Sequence, residues 1–162
     1  MGMNKRWSVL AVAVMISILA GSACTKAAVP SCTDEKVKAA VLEKAREISR
    51  DILVAMGSAA SFKPAQVKGA YQALKAKMEQ ANEPHREEIG KLLSSADSGM
   101  AKISLELADL RLMKKDDAAH TVACAGGLMF SNNETKKQNK ASLEFTAQYN
   151  EDHTVRIEMT RF

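Results

Sequence analysis

The spacing of apolar residues changes once along this chain, near residue 101, and that change constrains the fold more than any other feature. Before it, apolar residues recur every three or four positions, the period of an amphipathic helix. The series are Val37, Val41, Ala45, Ile48, Ile52 and Ala55, then Val67, Tyr71, Leu74, Met78 and Ala81. After it they recur every second position, as in Ile103, Leu105 and Leu107. Helices followed by strands predict an α+β domain.

Helix start and stop signals delimit two long helices and one short helix. Thr33 is the expected N-cap of the first, which should span about 34–56 and stop at Gly57. The second should begin near Pro64, since proline suits a first helical position. A third is predicted from Pro84 to about Ser95.

The strand pattern predicts four hairpin-linked strands. In the first, Leu110 and Leu112 fall on the opposite parity to Leu107, which predicts a β-bulge near Ala108 and Asp109. Residues 114–117 should form a turn, residues 120–130 a second strand, 131–140 a loop, 143–149 a third strand, 150–153 a turn and 155–159 a fourth strand. The predicted fold is α+β, with two to three N-terminal helices packed on one side of a C-terminal four-stranded antiparallel meander.

Residues 1–23 have the organisation of a secretory signal peptide. Lys5 and Arg6 precede an uncharged stretch from Trp7 to Ala20, and small residues follow up to Ala23. The alternative is an uncleaved membrane anchor, but Trp7 to Ala23 is shorter than the 20 or so apolar residues that a permanent span needs. A signal peptide predicts export.

The run from Ala20 to Cys24 resembles the box that precedes the acylated cysteine of bacterial lipoproteins. That resemblance implies a diacylated Cys24 as the new N-terminus, and Thr25 after it implies anchoring in the outer membrane rather than the inner membrane. Gly21 stands where such boxes usually carry a larger aliphatic residue, so ordinary cleavage after Ala23 is the alternative. The expected organisation is a signal peptide at 1–23, an anchor linker at 24–33 and one α+β domain at 34–162.

Three cysteines would leave one thiol unpaired in an oxidising compartment, and acylation of Cys24 removes that difficulty. Cys32 and Cys124 are then expected to form a disulfide between the start of the first helix and a strand. The alternative is a redox or metal site that uses Cys124 with His120. It is disfavoured because the chain has no CxxC motif and the spacing supplies no further ligands.

Charge excludes one class of partner. The leader carries two basic residues and no acidic ones, so its removal lowers the net charge from +4 to +2. The densest basic run, 136–140, contains no aromatic residue on which a base could stack. We therefore expect no nucleic-acid partner.

Catalytic motifs are absent from the sequence. It has no nucleophile motif, glycine-rich phosphate loop or HExxH. An enzyme would need a cleft that brings His85, His120 or His153 beside carboxylates such as Glu144 or Glu158. We expect a protein that is not an enzyme and has no metal or cofactor.

The residues Val29 to Asp34, the strand Ile103 to Glu106 and the later strand that carries Cys124 resemble a group of small envelope lipoproteins of Gram-negative bacteria with one helix-to-strand disulfide. The general shape is also similar to cystatin-like folds, which serve both binding proteins and enzymes. The resemblance implies a periplasmic domain anchored in the membrane, and it brings no catalytic residues.

The expected function is therefore binding in the cell envelope. The leading hypothesis is a non-enzymatic binding module, in its sharpest form an immunity or inhibitor protein against a periplasmic toxin or hydrolase. The alternatives are an accessory subunit of an envelope secretion or conjugation assembly, and a small periplasmic enzyme. The partner is an unidentified envelope protein, with sheet edges and the predicted loop as candidate contacts, the loop residues being Asn132, Asn133, Lys136 and Lys137.

Overall fold

The structure, a computed structural model, describes residues 29–58 and 67–162. The predicted signal peptide, Cys24 and the predicted helix start at Pro64 lie outside these ranges. Within them three helices precede four strands, which confirms the α+β fold. Among the described residues no helix combines the length and apolar character needed to cross a membrane.

The helices are α1 (Glu35–Gly57), α2 (Ala70–Gln80) and α3 (Glu83–Ala101). The N-cap of α1 is Asp34 and not the predicted Thr33, because the Asp34 carboxylate accepts the Lys36 N–H at 2.8 Å whereas the Thr33 hydroxyl bonds to Ser31. Helix α3 runs six residues past the predicted end and stops two residues before the first strand.

The strands are β1 (Ile103–Asp116), β2 (Thr121–Asn132), β3 (Gln138–Tyr149) and β4 (Val155–Arg161). They pair in the order β1-β2-β3-β4 and every pair is antiparallel, which confirms the meander. Two predicted connections are wrong. Most of the expected 114–117 turn continues β1, and the expected 131–140 loop shrinks to 133–137, because ladder pairing extends both hairpins past the apolar pattern.

The predicted bulge in β1 is confirmed. The register with β2 shifts between Ala108 and Arg111, and Asp109 there has a φ of 54°. A second shift, between Leu112 and Lys114, was not predicted. Both shifts lie on a strand at the edge of the sheet, where bulges discourage further strand pairing.

The core lies between α1 and one face of the sheet. Val37 and Val41 of α1 pack with Val122, Phe145 and Ala147, all almost fully buried. A smaller cluster, in which Leu93 and Ala96 of α3 meet Val54 and Ala70, holds the helices together. The opposite face of the sheet carries mainly polar and charged side chains, including Glu106, Arg111, Lys140, Glu144 and Glu158.

The predicted disulfide is present. Cys32 and Cys124 are bonded, with their Cα atoms 5.9 Å apart and 92 positions between them in sequence. Both residues are buried within the core cluster shared by α1 and the sheet. The bond therefore attaches the segment just before α1 to β2, one of the two central strands.

The buried stripe of α1 departs from the prediction in its second half. Ile52 was expected in the core but is 38% exposed, while Ser49, Asp51 and Val54 are buried. The first half of α1 packs on the sheet and the second half packs on α2 and α3. The change of packing partner rotates the buried face, which periodicity along the chain does not reveal.

Candidate functional site

The disulfide distinguishes the two ends of the sheet. Cys124 is three residues from the start of β2, so it lies near the end that carries the turns 117–120 and 150–154; we call this the disulfide end. The turn 133–137 lies at the other end, which we call the distal end. At about 3.3 Å per strand residue, Cys124 and Asn132 are about 26 Å apart.

The distal turn has a well-defined conformation. The Asn132 side chain accepts N–H groups from Glu134 and Thr135 at 2.9 and 2.8 Å. The Asn132 carbonyl accepts the Lys136 N–H at 2.9 Å, and the Asn132 N–H donates to the Lys137 carbonyl at 2.9 Å. Asparagine favours such turns because its short side chain can bond to backbone two or three residues ahead.

Helix α3 supports this turn from outside. The Asn133 N–H donates to the Lys102 carbonyl at 2.8 Å, immediately after α3 ends, and Lys102 Nζ lies 3.2 Å from the Glu134 carboxylate. The backbone bond satisfies one of the carbonyl groups that a helix end leaves without an intrahelical partner. The turn is thus fixed to both the sheet and the helical layer.

The structure places three of the four predicted contact residues on the surface of this turn. Asn133, Lys136 and Lys137 are exposed, and neither lysine forms an ion pair with another described residue. Asn132 is half-buried and its side-chain oxygen is occupied by the turn. Its role is to hold the turn, while the two lysines present positive charge to solvent.

A broad groove of about 820 Å³ opens between the second half of α1, the start of α2 and β4. Its apolar wall includes Ile48, Ile52, Ile157, Met159 and Phe162, and charged side chains such as Lys44, Glu47, Arg156 and Glu158 form its rim. Val67, also in the wall, directly follows residues 59–66, which are outside the described ranges.

A buried carboxylate organises one border of the groove. Asp51, 6% exposed, accepts the N–H groups of Gly69 at 2.7 Å and Tyr71 at 2.9 Å, and so caps the start of α2 from α1. The Tyr71 hydroxyl donates to Asp97 of α3 at 2.7 Å, and this bond to a carboxylate raises the pKa of Tyr71. This link is not predicted from the sequence, because no local signal reveals a cap that comes from a residue 18 positions away.

The three histidines lie on separate elements. His85 is in the first turn of α3, bonded to Asn82, while His120 and His153 lie in the two turns of the disulfide end. Glu144 and Glu158, named as possible catalytic partners, lie on the polar face of the sheet, and Glu144 pairs with Arg161 at 3.1 Å. Across residues 29–58 and 67–162, no three His, Cys, Asp or Glu side chains cluster closely enough to hold a metal ion.

Comparisons with protein-family models, with curated proteins and with solved structures gave no match to this chain.

Proposed function

We propose that this protein is a cell-envelope lipoprotein that is anchored at Cys24, is not an enzyme, and binds another envelope protein through the distal turn.

 The anchor would hold the domain at a periplasmic membrane surface, in keeping with the predicted export signal at 1–23. We propose anchoring in the outer membrane because Thr25 follows Cys24. The partner we propose is an envelope protein with an acidic surface.

The disulfide supports an envelope location. Disulfides persist in oxidising compartments such as the bacterial periplasm and are rare where thiols are kept reduced. With Cys32 and Cys124 bonded to each other, Cys24 is the one cysteine left for acylation. The cysteine count, the bond and the leader therefore agree with one another.

The observation that carries the binding proposal is the fixed presentation of Lys136 and Lys137. Because the turn is already ordered by Asn132 and by α3, its backbone would lose little conformational entropy when a partner docks there. Two lysines without ion pairs among the described residues would attract a surface of opposite charge. The turn is also at the end of the sheet away from Cys32, and so away from the proposed anchor.

An immunity or inhibitor protein and an accessory subunit of an envelope assembly both belong to this class. An inhibitor would recognise a toxin or hydrolase, and an accessory subunit would recognise another component of its assembly. The identity of the partner separates the two.

The test uses the full chain, exported from its own leader in a Gram-negative bacterium and carrying a C-terminal affinity tag. Mass spectrometry of the mature N-terminus should show a diacylated Cys24. After cross-linking in intact cells, the tagged protein should recover an envelope protein. Replacing both lysines, as Lys136→Glu with Lys137→Glu, should lower that recovery about tenfold or more, because like charges would then oppose each other across the contact.

The matched control reverses two lysines elsewhere, as Lys75→Glu with Lys77→Glu. Both are exposed on α2, and neither forms an ion pair within the described part of the chain. Recovery should be unchanged in this control. Equal recovery by the turn variant and the control variant would contradict binding through the distal turn.

A further inference from the structure

Two large apolar side chains lie next to each other on the surface of β1. Leu112 is 56% exposed and Met113 is 59% exposed. Exposed apolar residues that occur singly are ordinary, but here two neighbours on an edge strand are both in water. We call these two residues the β1 apolar pair.

The register of β1 explains the exposure. Leu112 lies opposite Cys124, on the face that the helices cover elsewhere, yet it extends beyond that cover. Met113 falls at the second register shift and has no partner residue in β2. The bulge turns its side chain away from the regular alternation of the strand.

Basic residues flank the pair on both sides. Arg111 and Lys114 are exposed and form no ion pair with another residue of the described ranges. Two acidic residues follow: Asp117 pairs with Lys115 at 2.8 Å, and the Asp116 carboxylate accepts N–H groups from Ala118 and Ala119. With three basic and two acidic residues, the stretch 111–117 carries a net charge of +1. The segment therefore combines apolar side chains with positive charge.

The disulfide places this segment close to the start of the domain. The Cα atoms of Cys32 and Cys124 are 5.9 Å apart, and Leu112 is paired directly with Cys124 across the ladder. Since paired residues have Cα atoms about 5 Å apart, Leu112 lies within about 11 Å of Cys32. Cys24 and Cys32 are eight positions apart, and a fully extended chain of that length spans at most about 29 Å.

We infer that the β1 apolar pair, with Arg111 and Lys114, is a membrane-contact patch that rests on the anionic phospholipid surface in which Cys24 is anchored. The inference rests on the proposed anchor, which brings the patch within reach of the bilayer. With the edge of β1 turned towards the bilayer, Leu112 and Met113 enter the boundary between headgroups and acyl chains. Arg111 and Lys114, which pair with Ala125 and Ala123 on the polar face of the sheet, reach the phosphate groups from that side. This contact turns the disulfide end towards the membrane and the distal turn towards the periplasm.

The chain offers a direct spectroscopic test. Its single tryptophan is Trp7, in the leader, so the mature protein contains none. A Met113→Trp variant then reports on the patch, and Met56→Trp is the matched control, because Met56 is a 77% exposed methionine near the end of α1. Each is exported as the full chain, purified in its acylated form and reconstituted into vesicles of phosphatidylethanolamine and phosphatidylglycerol whose acyl chains carry bromine.

Bromine quenches only a tryptophan that reaches the acyl region. We expect at least twofold stronger quenching at position 113 than at position 56. Adding Arg111→Gln and Lys114→Gln should reduce the ratio of docked to undocked protein by about fivefold for each charge removed, whereas adding Lys75→Gln and Lys77→Gln should leave quenching unchanged.

The outcomes separate the patch from the anchor. Equal quenching at positions 113 and 56 in acylated, vesicle-bound protein would overturn the patch and leave the anchor standing. If mass spectrometry shows that the exported chain is not acylated, the anchor is overturned. Quenching of the Met113→Trp variant of that unacylated chain by the same vesicles would still support the patch. A shift of the position-113 emission that depends on protein concentration without lipid would identify a second copy as the occupant, and would also overturn the patch.

Discussion

At the scale of single residues, two adjacent glycines allow β1, β2 and β3 to approach closely. A Cβ atom on Gly126 would lie 2.8 Å from Leu110 Cδ2 and 2.9 Å from the Ala108 carbonyl oxygen. On the other face, the Lys140 side chain passes over Gly127 and reaches Asp109 in the bulge of β1 at 2.5 Å. The Lys140 ammonium lowers the pKa of Asp109. The bulge therefore fits against β2 because Gly126 has no side chain, while Gly127 leaves room for the side chain of Lys140.

Gly126→Ala should destabilise the fold by about 1 to 3 kcal/mol, because the added methyl group must displace backbone as well as a side chain. Gly90→Ala, in α3, is the matched control. A Cβ there would meet only Met78 Sδ at 3.9 Å, so this variant should gain about 0.5 to 1 kcal/mol of helix stability. Urea unfolding measures both changes, and equal effects of the two substitutions would contradict the close approach at Gly126.

At the scale of elements, one hydrogen bond joins the start of α1 to the end of β3. The Tyr149 hydroxyl donates to the Asp34 carboxylate at 2.7 Å, and the same carboxylate caps α1 through Lys36. The Tyr149 bond is the main reason that the pKa of Asp34 is lowered, and the Asp34 carboxylate in turn raises the pKa of Tyr149. The helix cap and the contact between helix and sheet thus share one charged group.

This contact predicts a dependence of stability on pH. Because the pKa of Asp34 is lower in the folded state than its ordinary value of 3.8, its ionised form stabilises the fold above that value. The stabilisation is lost as pH falls from there through the folded-state pKa. In Tyr149→Phe the loss of unfolding free energy between pH 6 and pH 2.5 should be smaller than in the parent protein. Urea unfolding of the variant and of the parent across this range measures it, and an identical loss in the two proteins would count against the contact.

At the scale of the whole molecule, the disulfide joins two parts of the core that are far apart in sequence. It closes a loop of 92 positions that contains all three helices and β1. The disulfide also makes the two ends of the sheet different, since it lies near one end and the distal turn lies at the other. The two proposals depend on this asymmetry.

Replacing both bonded cysteines, as Cys32→Ala with Cys124→Ala, should lower the free energy of unfolding by about 4 to 5 kcal/mol. The loop-closure argument assigns this cost to the greater freedom of the unfolded chain. Urea unfolding of the variant and of the parent, each with and without a reducing agent, measures it. The reductant should destabilise only the parent, and a parent that is insensitive to complete reduction would contradict the estimate.

Much of the architecture could be predicted because it depends on neighbours along the chain. Apolar spacing distinguished helices from strands, the parity break at Leu110 located the bulge, and the cysteine count paired Cys32 with Cys124. The candidate contacts were predicted less well. Asn132 was predicted as a contact residue because a polar run resembles an open loop, whereas ladder pairing draws most of that run into strands.

The amino-acid sequence by itself determined the order and type of the elements, since backbone propensity and the alternation of apolar residues act over a few positions. Only the tertiary structure decided which apolar residues remain in water and which polar groups are buried. Ile52 and Leu112 follow the apolar pattern and yet are exposed, while Asp51 is buried and caps a helix 18 positions later. Burial is set by elements that pack from distant parts of the chain, and local spacing does not contain that information.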